Sequence, residues 1–333
     1  VNETLFIRAL CMYHLMDCFG HFPMREYTET DYSKLPVILE REQALSRIIT
    51  ELETIIPQLK EKGEVPYGRI TKAAAQLLLA KVYLNYQVYT GTAPTFADGQ
   101  SKWTETIDLC DDIIGSGKYT LSIDFWKLYL ADNQKESDAT ETILPIIFNN
   151  AIGLKGIPWL NITLHYNQKF GSFTSIWNGC CTTPTFLATW DTTDPRYQDN
   201  RLKSQIGFNL GILVGQQYSA NGSELLTRSG SKLIFTPEFS VQNSTEAQGA
   251  RVVKYAPDPT STYGSNSEND FQYYRLADVY LMRAEAKFRS GDVDGALTDI
   301  NELRNKRHVS TYKKEELTLE KIYNERGYEF YWD

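Results

Sequence analysis

The chain has 333 residues, 42% of them hydrophobic, which is enough to bury a sizeable core in one large domain or two. Its formal net charge is −8, a balance that argues against a protein that tracks nucleic-acid phosphates. The same balance makes a small neutral or peptide-like ligand the easier partner. No apolar run approaches the roughly 18 to 20 residues of a membrane-crossing helix.

Residues 1–150 are predicted to form a mostly helical scaffold. Between Leu45 and Leu59, apolar residues recur at steps of three and four, which places them on one helix face. Thr71 can cap a second helix that runs to about residue 87. The centre of this helix is so rich in alanine and leucine that it is expected to be covered on more than one side.

A third helix is predicted over residues 103–114, with Gly115 or Gly117 at its end. We expect it to form an antiparallel pair with the helix that Thr71 caps. The sequence GSGKYT at 115–120 resembles a phosphate loop but lacks the earlier glycine and the Ser or Thr after the lysine. It is better interpreted as a helix end and a turn.

Residues 151–270 differ in character from the segments on either side. They hold eleven of the 21 glycines and three of the six tryptophans, with frequent Asn, Ser and Thr and only short apolar runs. This pattern predicts loops with short strands or turns. Such a long segment without helices is expected to carry function or to form its own subdomain.

Helical periodicity returns in residues 271–333. Gly291 is predicted to end one helix, Asp292 or Asp294 to cap the next, and a third follows from Thr318. Their small residues would let backbones approach closely, as in tetratricopeptide-like hairpins. The predicted fold class is therefore mostly α, with tetratricopeptide-like helix pairs (1–150 and 271–333) as a scaffold around an irregular, loop-rich insertion with short strands (151–270).

Several kinds of chemical site are not indicated by the residue spacing. The four histidines are scattered, without a Cys/His cluster, so we expect no metal site. Asp292 and Asp294 resemble part of a calcium loop but are better explained as helix caps. The five cysteines lack CxxC spacing, and we interpret them as buried thiols, with a long-range disulfide left open.

Carboxylates are clustered at Asp191, Asp194 and Asp199, and a glycosidase would need two such groups about 5 to 10 Å apart. With 42 acidic residues in the chain, a local cluster is expected by chance. Asp194 precedes a proline, where its side chain commonly accepts hydrogen bonds from turn amides. We therefore predict that the protein is not an enzyme.

Aromatic residues are the most informative feature of the middle segment. Six of them stand in polar, glycine-rich surroundings without a periodic apolar face: Trp159, Tyr166, Trp177, Trp190, Tyr197 and Tyr218. Aromatic rings offer flat apolar faces at low ordering cost, which suits the C–H faces of sugars or the side chains of peptides. Each ring taken alone is more simply a core residue of a subdomain, but the set favours a binding surface.

Several stretches together resemble the SusD/RagB family of outer-membrane nutrient-binding lipoproteins. They span nearly the whole chain in the family's order: ETLFIRALCMYHLMDCFGHFPM, GRITKAAAQLLLAKVYLN, WTETIDLCDDIIGSGKYTL, WNGCCTTPTFLATWDTTDPRY, and RLADVYLMRAEAKFRSGDVDGALTDINELRNKR followed by LTLEKIYNERGYEF. The Asp-Pro-Arg sequence at 194–196 and the Glu-Arg pair at 325–326 are among the matching positions.

The resemblance implies a helical fold with four tetratricopeptide-like pairs, no cofactor, and a SusC-like TonB-dependent transporter as partner. It implies localisation at the outer membrane, exposed on the cell surface, through a lipid anchor that is not present in this chain. Oligosaccharide is the usual ligand class of the family, and some members bind peptides. The implied function is non-catalytic capture of oligosaccharide and its delivery to the transporter.

Within this hypothesis, Trp177 and Trp159 are the candidate stacking platforms, and Asn178, Tyr166 and Gln168 are the candidate polar contacts. Three alternatives stay open from the sequence. A peptide could occupy the same aromatic site, the helical pairs could act as a protein-docking scaffold without a soluble ligand, or the chain could cleave what it binds.

Overall fold

A computed structural model describes residues 1–135, 139–149, 151, 153, 156, 162–258 and 268–333. The chain forms two compact units, the first from residues 1–120 and 274–300, the second from residues 121–273 and 301–333. The mostly helical fold class with short strands is confirmed. The chain passes from one compact unit to the other after residues 120, 273 and 300. These boundaries do not test the functional division at 1–150, 151–270 and 271–333, which stays a prediction.

Helices account for most of the regular structure. They are α1 (Asn2–Phe19), α2 (Arg41–Ile55), α3 (Lys72–Leu84), α4 (Tyr86–Thr90), α5 (Trp103–Gly115), α6 (Pro184–Leu187), α7 (Lys203–Ile206), α8 (Leu276–Arg289), α9 (Val293–Lys306) and α10 (Leu319–Phe330). Short 3-10 turns lie at Ile56–Gln58, Phe125–Tyr129 and Lys314–Glu316. In the described part of the chain, no helix is both long and apolar enough to cross a membrane.

The strands are short and pair antiparallel where their register is defined. They are β1 (Phe22–Met24), β2 (Val37–Leu39), β3 (Thr142–Ile146), β4 (Gln198–Asp199), β5 (Leu210–Leu213), β6 (Gly215–Gln216), β7 (Ile234–Phe235), β8 (Arg251–Val253) and β9 (Phe271–Arg275). In the second unit, β5 lies between β4 and β8, with Gly211 opposite both Gln198 and Val253. The described part of the middle segment thus has short strands joined by long loops, as its composition predicts, but the expectation of a segment without helices is wrong at α6 and α7.

The first unit is built around the predicted antiparallel pair, α3 and α5. The Thr71 side chain accepts a hydrogen bond from the Ala74 amide, which confirms the predicted cap. Thr71 at the start of α3 also lies 3.2 Å from the Tyr119 hydroxyl, beyond the end of α5. This contact shows that the two helices run in opposite directions. Residues Ala73 to Leu84 of α3 are buried except Lys81, because neighbouring helices cover this helix on several sides.

The predicted helical hairpin near residue 290 is formed by α8 and α9. Gly291 adopts a φ of 94°, the left-handed conformation that glycine favours at a helix end. Asp292 Oδ1 accepts from the Gly295 amide at 2.9 Å, which confirms its role as a helix cap. Across the hairpin, Arg283 and Lys287 both bind the buried carboxylate of Asp299. At the start of the segment 271–333, where the sequence predicted helix, Phe271–Arg275 form strand β9 instead.

The second unit has an aromatic core, and two of the six aromatic residues that the sequence indicated as a binding surface belong to it. Trp190 and Tyr197 are each only 8% exposed and pack edge to face, with ring centroids 5.8 Å apart. Both belong to the core together with Trp126, Tyr129 and many aliphatic residues. For these two rings the core interpretation is correct, because Phe186 of α6 and Tyr328 of α10 pack against Trp190, which in turn packs against Tyr197.

A network of buried ion pairs lies beside this core. The Arg196 guanidinium binds Asp194 through Nε and Nη2 at 3.0 and 2.7 Å, and through Nη1 it reaches Glu325 at 2.8 Å and Glu329 at 3.0 Å. Arg196 and both glutamates are fully buried. Burial opposes the charge, but the surrounding carboxylates hold the pKa of Arg196 well above its ordinary value. The network therefore fastens the Asp-Pro-Arg turn to α10.

A second arginine extends the network to other segments. Arg307 Nη2 binds Glu329 at 2.7 Å and both carboxylate oxygens of Glu141 at 2.9 Å. Glu141 in turn accepts from the Ser122 amide at 2.8 Å. Arg304 of α9 pairs with Glu325, which lies one turn before Glu329 on the same face of α10. Each buried carboxylate thus meets more than one donor, as buried charges require.

The cysteine prediction is correct only in part. All five thiols are free, and Cys110 on α5 is buried, as expected. The expectation of burial is wrong for Cys11, Cys18 and Cys180, which are exposed, and Cys181 is intermediate. On α1 the buried face is formed by Phe6, Ala9, Met12 and Met16, so the two cysteines of this helix lie on the other side.

Neutralising a buried carboxylate of the network should destabilise the second unit. We expect Glu329→Gln to lower the free energy of unfolding by about 3–5 kcal/mol, because Arg196 and Arg307 would lose a charged partner while still buried. Glu320→Gln, at an exposed position of the same helix, should change it by less than about 1 kcal/mol. Urea unfolding followed by tryptophan fluorescence measures both; equal midpoints for the two variants would contradict this role.

Candidate functional site

The structure places four of the five predicted site residues in two neighbouring loops of the second unit. Tyr166 and Gln168 lie in one loop, and Trp177 and Asn178 in the next. Trp159, the fifth, lies outside the described residues. Trp177 is 53% exposed, which leaves much of its indole available to a ligand.

The first loop is held by the side chain of Gln168. Its Oε1 accepts from the His165 amide at 2.8 Å, and its Nε2 donates to Gln217 Oε1 at 3.0 Å. Gln168 is only 1% exposed, so its hydrogen-bonding groups are used inside the protein. We therefore assign Gln168 to shaping the loop that presents Tyr166, and not to direct contact with a ligand.

The second loop is joined to the first through Asn178. The Asn178 amide N–H donates to the Leu164 carbonyl at 3.0 Å. Its φ of 53° lies in the left-handed region, which asparagine tolerates better than most residues. The side chain is also engaged, since Nδ2 donates to the Glu246 carbonyl at 3.0 Å and Oδ1 accepts from Arg251 at 2.9 Å. Asn178 therefore fixes the turn that carries Trp177.

Arg251, which the sequence did not indicate, connects the loop of Asn178 to the segment 246–249. Only 3% exposed, it donates to the carbonyls of Gln248, Gly249 and Glu246 as well as to Asn178. It forms no ion pair with a carboxylate among the residues that the structure describes, and burial lowers the pKa of this arginine. Backbone carbonyls thus take the place of a counter-ion, and they order the loop around residue 248.

Arg228 and Glu246 form a second unanticipated feature of the site. The Arg228 guanidinium carbon lies 4.1 Å from the centroid of the Tyr166 ring, so it covers one face of that ring. Glu246 accepts from Arg228 twice, at the backbone amide and at Nε, both at 2.6 Å. Although partial burial opposes ionisation, these bonds hold the pKa of Glu246 below its ordinary value. A ligand approaching that face of Tyr166 would meet the guanidinium first.

A cleft of about 610 Å³ opens next to this pair, within the range of roughly 300–1,000 Å³ that small-molecule sites occupy. Its wall exposes more apolar than polar surface, although most of the residues that line it carry a hydroxyl or charged group: Thr227, Arg228, Ser229, Ser231, Lys232, Thr245, Glu246 and Ala247. The wall from 227 to 231 is a tight turn, in which the Ser231 amide donates to Thr227 Oγ1. The cleft therefore offers hydroxyl groups and paired charges on a fixed backbone.

The chemistry available here is recognition by hydrogen bonds and by contact with an aromatic face. Among the described residues, no group of three His, Cys, Asp or Glu side chains is arranged to hold a metal ion. The clustered carboxylates are committed elsewhere: Asp191 caps its own turn at Thr193, Asp194 binds Arg196, and Asp199 binds Arg201. These contacts confirm the turn role expected of Asp194, whose Oδ1 accepts from the Arg196 amide at 2.8 Å.

His165 lies fully buried behind the cleft. Its Nδ1 accepts from the Asn167 amide at 3.1 Å, and its Nε2 lies 3.5 Å from Glu246. Burial lowers the pKa of His165, and the positive charges of Arg251 and Arg228 act in the same direction against the opposing effect of Glu246. The imidazole is therefore neutral in the folded state at neutral pH.

This lowered pKa predicts a loss of stability in acid. Since His165 has a pKa of about 6.5 when unfolded and a lower one when folded, its contribution is present above about pH 6.5 and is lost as the pH falls through the folded value. His165→Asn keeps an acceptor for the Asn167 amide but cannot titrate, so its Tm should fall less between about pH 7.5 and 5. Thermal unfolding across this range measures the difference; parallel Tm curves would contradict the assignment.

Comparison with known proteins places the chain among proteins of one kind. A family model described as the SusD family matches residues 79–333. The starch-binding protein SusD of Bacteroides thetaiotaomicron is 28% identical over 355 residues, which covers 99% of this chain and 61% of that protein. The chain thus spans about three fifths of the length of this curated relative.

Solved structures share the fold. A SusD superfamily protein from Parabacteroides distasonis superposes with a TM-score of 0.70 at 21% identity, covering 98% of this chain and 64% of that one. The surface glycan-binding protein A from Bacteroides uniformis gives a TM-score of 0.67 at 18% identity, covering 99% of this chain and 63% of that one. With the family model matched over residues 79–333, the chain belongs to the SusD family.

Proposed function

We propose that this protein is a non-catalytic, cell-surface glycan-binding protein that captures an oligosaccharide and delivers it to a SusC-like TonB-dependent transporter of the outer membrane. The observation that carries the proposal is the exposed indole of Trp177 in a member of the SusD family, next in sequence to Asn178, whose side chain donates to the carbonyl of Glu246 in the wall of a hydroxyl-bearing cleft. The names of its relatives support the ligand class, since one is described as starch-binding and another as surface glycan-binding.

The chemistry of the surface suits a sugar. An exposed indole offers a rigid apolar face to the C–H groups of a pyranose at little cost in side-chain entropy. The cleft adds hydroxyl, guanidinium and carboxylate groups, which can pair with sugar hydroxyls. Few strong anchors imply modest affinity, and closure by a transporter beneath the ligand would raise retention without new contacts to the sugar.

Individual residues receive distinct roles in this proposal. Trp177 is the stacking platform, and Asn178 fixes its position. Tyr166 supports Arg228 from behind, and Gln168 holds the loop in which Tyr166 lies. Trp159 is proposed as a further platform on the basis of the sequence alone. The segment 151–270 is accordingly the proposed ligand-binding part, and attachment to the outer membrane through a lipid anchor belongs to the same proposal.

Removing the exposed indole should abolish most glycan binding without unfolding the protein. We expect Trp177→Ala to weaken the affinity for a glycan found in a screen of oligosaccharides by roughly tenfold or more, because it removes an aromatic stacking face. The Tm should change by no more than about 2 °C, since the ring packs little. Isothermal titration calorimetry and thermal unfolding give the two values for each variant.

Two control variants separate binding from stability. Tyr323→Ala removes an aromatic ring that is 75% exposed on α10, and it should change neither value. Trp190→Ala empties a core position and should lower the Tm strongly. Unchanged affinity in Trp177→Ala would refute the assignment of this residue. A bound peptide in place of a sugar, or cleaved products detected by mass spectrometry, would refute the proposed function.

A further inference from the structure

We infer that the cleft beside Tyr166 accepts uncharged sugars and discriminates against uronic acid and sulfated glycans. The inference rests on the proposed function and names the substrate class for the same site. It follows from the way in which the two cations of the cleft lining, Arg228 and Lys232, are already neutralised by carboxylates of the protein.

Each cation has its own carboxylate partner. Arg228 Nε lies 2.6 Å from Glu246 Oε2, and Lys232 Nζ lies 2.8 Å from Glu224 Oε2. Glu246 is held further by the backbone amide of Arg228, so both of its oxygens are used on the same residue. The two pairs sum to zero charge, although the side chains of both cations remain about 60% exposed, at 63% and 60%.

An acidic sugar would find no uncompensated positive charge here. A carboxylate or sulfate that binds Arg228 through Nε would have to displace Glu246 and break two charge-assisted hydrogen bonds, whereas one that binds the two Nη groups would leave Glu246 in place. If Glu246 stayed in place, the ligand would bring a second negative charge next to it, and like charges at close range repel. The overall charge of −8 acts in the same direction at long range.

A neutral sugar can form hydrogen bonds with the groups of these ion pairs without breaking either pair. Within the described residues, the Nη groups of Arg228 and the hydroxyls of Ser231 and Thr245 make no hydrogen bonds to the protein. These groups can donate to and accept from neighbouring hydroxyls of a pyranose. A carboxylate that is already paired still has free lone pairs, so Glu246 can accept a sugar O–H as well.

The test compares retention of the protein in native gels that contain either neutral or acidic polysaccharides, namely starch, laminarin, polygalacturonate and chondroitin sulfate. We expect retardation of the unmodified protein by a neutral polysaccharide and none by the two acidic ones. Glu246→Gln should release the charge of Arg228 and create retention by polygalacturonate, at least roughly tenfold stronger than in the unmodified protein at low ionic strength. This gain should disappear at high salt, because exposed charges are screened.

Glu224→Gln tests the second pair independently and should have the same effect through Lys232. Glu238→Gln is the matched control, since it removes the same charge from an exposed residue that does not line the cleft. Stronger retention of the unmodified protein by an acidic polysaccharide than by any neutral one would overturn this inference alone. A gain in Glu246→Gln and Glu224→Gln no larger than in Glu238→Gln would do the same. No retention of the unmodified protein in any gel would overturn the proposed function together with this inference.

Discussion

The second unit depends on buried carboxylate and guanidinium groups that join distant parts of the chain. Arg196 and Glu325 are 129 positions apart, and both are fully buried. A buried charge that lacks its partner costs several kcal/mol, so these segments must come together when the unit folds. The ion pairs thus fix the Asp-Pro-Arg turn on α10 in a region with little regular secondary structure. Loops that lie before and after this turn in sequence carry the proposed binding surface.

Those loops are ordered by a different arrangement, in which side chains bind backbone carbonyl and amide groups. Arg251 donates to three carbonyl groups and to Asn178, and Gln168 closes its own loop through the His165 amide. Backbone groups in loops that cannot pair in a helix or a sheet are satisfied in this way. The loops therefore lose their conformational entropy when the protein folds and not when a ligand binds. A ligand would bind a surface that is already in its binding conformation.

The charge arrangement differs between the interior and the surface for a physical reason. In the interior, the carboxylates of the network each meet several donors, because water cannot solvate them. At the cleft, each cation has one partner and remains largely solvated, which leaves donors free for a ligand. The same residue types therefore stabilise the fold in one place and are available for recognition in the other.

The sequence by itself determined the helices, because the 3.6-residue period and the capping residues Thr71, Asp292 and Thr318 act over a few positions. It also indicated the family and the exposed Trp177. Only the tertiary structure decided that Trp190 is core, and that Arg228, Glu246 and Arg251 surround the site. Contacts such as Arg251 with Asn178, 73 positions apart, leave no periodic signal, because they arise only when loops without regular secondary structure pack together.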